Sequence, residues 1–144
     1  MAEAVLRGKL AAAGLAELVL VDSAGTHGFG RGARPDPRAV SQAARRGYSL
    51  AGQKSRPLRD EDFGRFDLLL AMDRRNLDSL RQHCASDRHD RLGLLLAQQP
   101  ALAVDEVPDP YYSTVAAFDH ALDLIEPACD ALLPMLRQRL AGGR

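Results

Sequence analysis

Residues 65–77 read "RFDLLLAMDRRNL". Positions 68–72 form a short, unbroken apolar run, as expected for a strand covered on both faces. Asp73 follows, and Leu77, Leu80 and Cys84 then recur at helical spacing. A buried strand, a polar junction and an amphipathic helix in that order form the unit from which parallel sheets are built, because parallel strands need a crossover between them. Downstream, "RLGLLLA" (91–97) is a weaker strand. Upstream, the β-branched apolar run at 18–21 within "LAELVLVDSAG" (15–25) reads as a buried strand opening into a glycine-rich loop that continues to Pro35.

The helices have recognisable ends. In "PDPRAVSQAARRG" (35–47), Asp36 stands at the N-cap and Pro37 at the first helical position. Arg45 and Arg46 close the last turn and Gly47 lies just beyond. At the amino end, "MAEAVLRGKLAAAG" places Val5, Leu6, Leu10 and Ala13 on one helical face, with Glu3 four residues before Arg7 in the favourable order for an ion pair. No Ser, Thr, Asp or Asn precedes its first turn. From Val115, the residues Phe118, Leu122, Ile125, Cys129, Leu132, Leu136 and Leu140 keep a helical period to the end of the chain. Pro127 and Pro134 fall inside it and predict two pieces or a bend.

This alternation predicts a single α/β domain over residues 1–144, in three layers, with a parallel sheet flanked by helices on both faces. Ligands in such sheets bind beyond the carboxyl ends of the strands. The loops after Val21 and Met72, and the stretch "VPDPYYS" (107–113), are therefore the candidate site.

Composition narrows the partners. Nineteen basic and nineteen acidic side chains cancel, which proposes neither nucleic acid nor a membrane surface. The first residues are too charged for a signal peptide, and no apolar run approaches the ~20 residues of a spanning helix. The expectation is a soluble cytoplasmic protein. Cys84 and Cys129 read as packing residues, and the neighbours His83, Cys84 and His89 do not make a metal signature.

Taken together, "MAEAVLRGKL", "VDSAGT", "RPDPRAV", "FDLLLAMDRRNL" and "VPDPYYS" resemble the low-molecular-weight protein tyrosine phosphatases, in that family's order and nearly at its spacing. The resemblance implies hydrolysis of a phosphotyrosine protein or a small aryl phosphate through a phosphocysteine, with no metal or cofactor. In the family, a central strand and a Cys-x5-Arg loop precede the helix that "MAEAVLR" resembles, so the expected sheet lacks that central first strand. Neither cysteine replaces the motif: Asp90 stands six residues after Cys84, and Met135 six after Cys129. The expectation is therefore a chain without the nucleophile loop, inactive as it stands, with unpaired strand edges that favour self-association and poor stability.

By the same resemblance, Asp109 is the general acid and base; on its own segment, an Asp before Pro equally begins a turn. Phe29, Tyr111 and Tyr112 correspond to aromatics at the rim of the pocket, against a plainer reading as packing or exposed side chains. Ser23 corresponds to a serine supporting the phosphate loop, and Gln53 falls where many relatives carry a histidine of the network beneath it. Arg56 reads as a structural ion-pair partner before a substrate contact. Asp73 either fixes a loop near the catalytic strand or caps the following helix. Two other functions stay open: a non-catalytic binding module on this fold, and arsenate reduction, which needs two further resolving cysteines where Cys84 stands alone.

Overall fold

A computed structural model describes residues 1–26, 32–110 and 113–142. Five helices and two strands follow one another as α1 (Ala2–Ala12), α2 (Pro37–Arg45), α3 (Asp62–Arg65), β1 (Leu69–Ala71), α4 (Arg74–His83), β2 (Leu92–Leu94) and α5 (Val115–Ala141), with short 3-10 turns around β2 and after it. The strands pair in parallel, Leu69 beside Leu92, Leu70 beside Gly93 and Ala71 beside Leu94.

The apolar run of β1 supplies both faces of the sheet because successive strand side chains alternate. Leu68, Leu70 and Met72 pack toward Val5 of α1 and toward Leu122, Ile125, Cys129 and Leu132 of α5. Leu69 and Ala71 pack toward Phe63 of α3 and toward Leu77 and Leu80 of α4, with Leu92 and Leu94 beside them. Helices thus lie on both faces, as the alternation predicts. A further cluster of Ala4, Ala39, Ala43, Leu50 and Phe118 joins α1, α2 and α5.

Local rules hold at the helix ends. Asp36 accepts the Arg38 amide hydrogen (2.8 Å) ahead of Pro37, and Gly47 takes φ +86° past the end of α2. Asp73 accepts the Asn76 amide hydrogen at the start of α4 (2.8 Å). Glu3 and Arg7 pair at 2.9 Å.

Two expectations are corrected. Residues 18–21 form no strand: Leu18 and Leu20 are each 62 % exposed, and β1 and β2 are the only strands of the sheet among the described residues. A short apolar segment adopts strand structure only when a neighbour takes up its main-chain hydrogen bonds, and none pairs with this one among the described residues. The second concerns α5: of the two pieces or a bend expected, the two pieces are ruled out, because one helix runs through both prolines. The carbonyls that Pro127 and Pro134 leave without a helical donor are those of Asp123 and Asp130, both exposed, so water can satisfy them.

Candidate active site

Loops from three parts of the chain meet at the carboxyl end of β1. The amide hydrogen of Val107 donates to the carbonyl of Met72 (2.9 Å), fixing the stretch that leads to Asp109 against the strand end. Val107 is buried, which anchors this contact, while Asp109 two residues on is exposed between Pro108 and Pro110. The flanking prolines restrict the backbone on both sides of Asp109. Arg74, at the start of α4, pairs with Asp105 and donates its amide hydrogen to Glu106 (2.8 Å), a second tie between this stretch and β1.

The loop after residue 21 is held from two directions. Ser23 donates its hydroxyl hydrogen to Glu3 Oε1 of α1 (2.6 Å), and Asn76 Nδ2 donates to Thr26 Oγ1 (2.7 Å). Arg56 reaches Asp22 (3.2 Å) and Asp62 (2.9 Å), so one guanidinium links the loop to α3. Burial alone would push the Asp62 carboxyl up; hydrogen bonds from Arg56 and from the Arg59 amide, with the charges of both arginines, hold it below the usual carboxylate range. The Asp62 bonds raise the pKa of the Arg56 guanidinium.

Beside these loops runs an open groove of about 960 Å³. Leu18, Leu20, Ser23, Leu68, Leu70, Cys129 and Leu132 are among its lining residues. Met1 also lines it, at the start of α1, whose first turn has no side-chain cap. Burial lowers the pKa of the Met1 ammonium.

Sequence-predicted residues divide accordingly. Ser23 and Arg56 line the groove, as does Asn76. Asp73 accepts the Asn76 amide hydrogen at the start of α4, and Arg56 pairs with Asp22 and Asp62. Asp109 stands at the strand end outside the groove lining, and Gln53 lies on a turn closed by its amide hydrogen to Leu50 (3.2 Å), also outside that lining. Phe29, Tyr111 and Tyr112 lie outside the described residues. Sequence reasoning missed Glu3 as the partner of Ser23 and Asp62 as the partner of Arg56; an acid in the first turn of α1 was visible, but not the loop it would meet.

Neither cysteine has the environment of a nucleophile. Burial pushes the Cys129 thiol up to about 12. A reactive cysteine needs the opposite shift. Cys84 is buried on the other face of the sheet, with Phe63, Leu77 and Leu80. Among the described residues no group of His, Cys, Asp and Glu could hold a metal ion, and no helix is long and apolar enough to cross a membrane.

The family model for low molecular weight phosphotyrosine protein phosphatase matches residues 1–141. The chain belongs to that family. A low molecular weight protein-tyrosine-phosphatase of Streptomyces coelicolor is 38 % identical over 145 residues, covering 99 % of this chain and 88 % of the relative. A protein tyrosine phosphatase of Entamoeba histolytica, solved with Hepes in its active site, superposes with a TM-score of 0.90 at 32 % identity, covering 95 % of this chain and 87 % of that one. YfkJ of Bacillus subtilis follows at 0.89 and 31 %, covering 96 % and 86 %. Membership in this phosphatase family agrees with the α/β layers and with loops gathered at the carboxyl end of β1.

Proposed function

We propose that this chain is a low-molecular-weight protein tyrosine phosphatase in which Asp109 is the proton donor and acceptor, and that its 144 residues do not by themselves supply the attacking thiolate. The substrate is a phosphotyrosine protein or a small aryl phosphate. The observation that carries the reading is the Val107 to Met72 hydrogen bond, which ties the stretch leading to Asp109 to the end of β1, with Val107 in the same core cluster as Met1 and Val5 of α1. A helix N-terminus favours the phosphate dianion, and a carboxyl at the strand end suits the departing oxygen.

In the reaction a thiolate attacks phosphorus, the P–O bond to the aryl oxygen breaks, and the Asp109 carboxyl protonates the phenolate as it leaves. The resulting carboxylate then takes a proton from water as that water attacks the phosphocysteine, which releases phosphate and the thiolate. The sequence contains no Cys-x5-Arg, and the high pKa and burial of Cys129 disqualify it as the thiolate.

The test uses p-nitrophenyl phosphate with two proteins: the 144-residue chain, and the same chain with an apolar strand and a Cys-x5-Arg-Ser-Pro segment fused ahead of Met1. The expected result is no turnover above background for the first and vanadate-sensitive turnover for the second. Turnover by the 144-residue chain, or a folded fusion without activity, would overturn the proposal.

A further inference from the structure

The segment that carries Asp109 is tied down at its far end as well as at Val107. The Ser113 amide hydrogen donates to the Pro110 carbonyl (2.9 Å), closing a turn just beyond Asp109, and the Ser113 carbonyl in turn accepts from Nη1 of Arg38. α5 begins two residues later at Val115, and Thr114 at its N-cap makes no side-chain hydrogen bond to the first turn. The junction is thus not fixed by a cap. Arg38, 75 residues away in sequence, fixes it instead.

Arg38 is itself held rigidly. Asp36 Oδ1 accepts from the Arg38 amide (2.8 Å) and from its Nε (3.1 Å), while Oδ2 accepts from Nη2 (2.8 Å). A forked, charge-assisted pair of this kind sets direction as well as distance. The same hydrogen bonds hold the Asp36 carboxyl below the usual carboxylate range, so the pair is charged at neutral pH. The guanidinium carbon stands 4.7 Å from the centroid of the Phe118 ring, which is buried with Ala39, Ala43 and Leu50. With its three guanidinium nitrogens engaged by protein atoms, Arg38 is built to hold a loop rather than to take up a substrate anion. Asp36 is also where the glycine-rich loop after residue 21 rejoins a helix, so one guanidinium fastens two of the three candidate-site segments.

We propose that Arg38 is a positioning residue for proton transfer by Asp109, holding the far end of the segment that carries it so that the carboxyl stays aligned with the departing oxygen. The inference rests on the role proposed above for Asp109. Proton transfer is sensitive to such alignment, and a misplacement of ~1 Å can cost ~10²-fold in rate. The Val107 tie and the prolines on either side of Asp109 keep part of the order when Arg38 is lost, which puts the expected loss nearer ~10-fold.

Two readouts decide it. In the 144-residue chain, Arg38→Ala should accelerate hydrogen exchange at the Ser113 amide at least ~10-fold and lower the Asp109 amide order parameter from ~0.85 to below ~0.6, while the amides of β1 keep their wild-type values. In the fusion carrying the Cys-x5-Arg-Ser-Pro segment, the same variant should lower kcat/KM about 10-fold for phenyl phosphate, whose leaving oxygen needs the proton. For p-nitrophenyl phosphate, whose leaving group needs it less, the loss should not exceed ~3-fold. Loss of folded protein would lower both alike. Asp36→Asn keeps a good N-cap while withdrawing the charge that orients Arg38, and should move both readouts in the same direction by a smaller factor. Equal losses for the two substrates, or unchanged exchange and order in Arg38→Ala, would overturn the proposal. An inactive wild-type fusion would overturn the role of Asp109 and this inference with it, whereas the exchange readout, taken without turnover, tests the tether by itself.

Discussion

Replacing Arg56 by alanine removes the guanidinium that pairs with both Asp22 in the loop and Asp62 of α3. The Arg56 side chain is 18 % exposed and that of Asp62 only 7 %, so the pair is largely withdrawn from solvent. Arg56 donates to both Asp62 oxygens, at 2.9 and 3.1 Å, and after its loss the Arg59 amide (2.9 Å) is left as a hydrogen bond to the carboxylate. Removing one partner of a buried pair costs about 3–5 kcal/mol, and the surviving amide bond brings Arg56→Ala below that, to about 2–3 kcal/mol. In urea, with a slope of ~2 kcal/mol/M, the midpoint should fall by roughly 1–1.5 M at neutral pH. The sign with pH follows from Asp62. Its folded pKa lies below its unfolded value, so its contribution is present above the unfolded pKa and is lost as pH falls through the folded one. The gap between wild type and Arg56→Ala should therefore narrow below about pH 4. The control is Asp62→Asn, which should be less damaging than Arg56→Ala because it leaves no buried charge unpaired. A shift under ~0.5 kcal/mol at neutral pH, or a gap constant down to acid pH, would refute the reasoning.

Other expectations follow the same physics. Leu122→Ala deletes a fully buried side chain facing the sheet from α5 and should cost about 2–5 kcal/mol, read as a lowered thermal midpoint. Asp73→Ala removes the cap of α4 and should cost about 1 kcal/mol, with hydrogen exchange accelerated in the first turn of that helix. The Cys129 thiol, pushed up to about 12 by burial, should resist iodoacetamide in the folded chain and react once urea unfolds it; mass spectrometry of alkylated peptides decides this. In the active fusion described above, Asp109→Asn should lower kcat by about 10²–10⁴, with smaller losses for aryl phosphates whose leaving groups need no proton.

Those elements whose determinants lie within a few residues were legible in the sequence. Asp36 with Pro37, Gly47 with its positive φ, and Asp73 ahead of α4 each signal an end that the structure places where expected. The run at 68–72 likewise announced burial on two faces through its unbroken apolar character. Its location relative to other loops did not follow: nothing in the sequence joins Ser23 to Glu3, Thr26 to Asn76, or Arg56 to Asp62, because those bonds depend on how the layers stack. Of the site, the spacing of "VPDP" showed a constrained aspartate, whereas its attachment to β1 through Val107 is a main-chain bond that no side-chain pattern records.

Residues 18–21 and 68–72 make the sharpest contrast, because both are short, apolar and followed by Asp. One forms a strand and the other does not. β1 has β2 as a neighbour in parallel register, with α4 packed over the pair, so its hydrogen bonds and half of its side chains are accommodated. The earlier segment has no strand partner among the described residues, and its leucines remain 62 % exposed. Intrinsic preference for extended backbone is worth at most ~1 kcal/mol, too little to order a segment alone against the entropy of fixing it. Strand formation at 18–21 is consequently decided by pairing, not by the segment's composition.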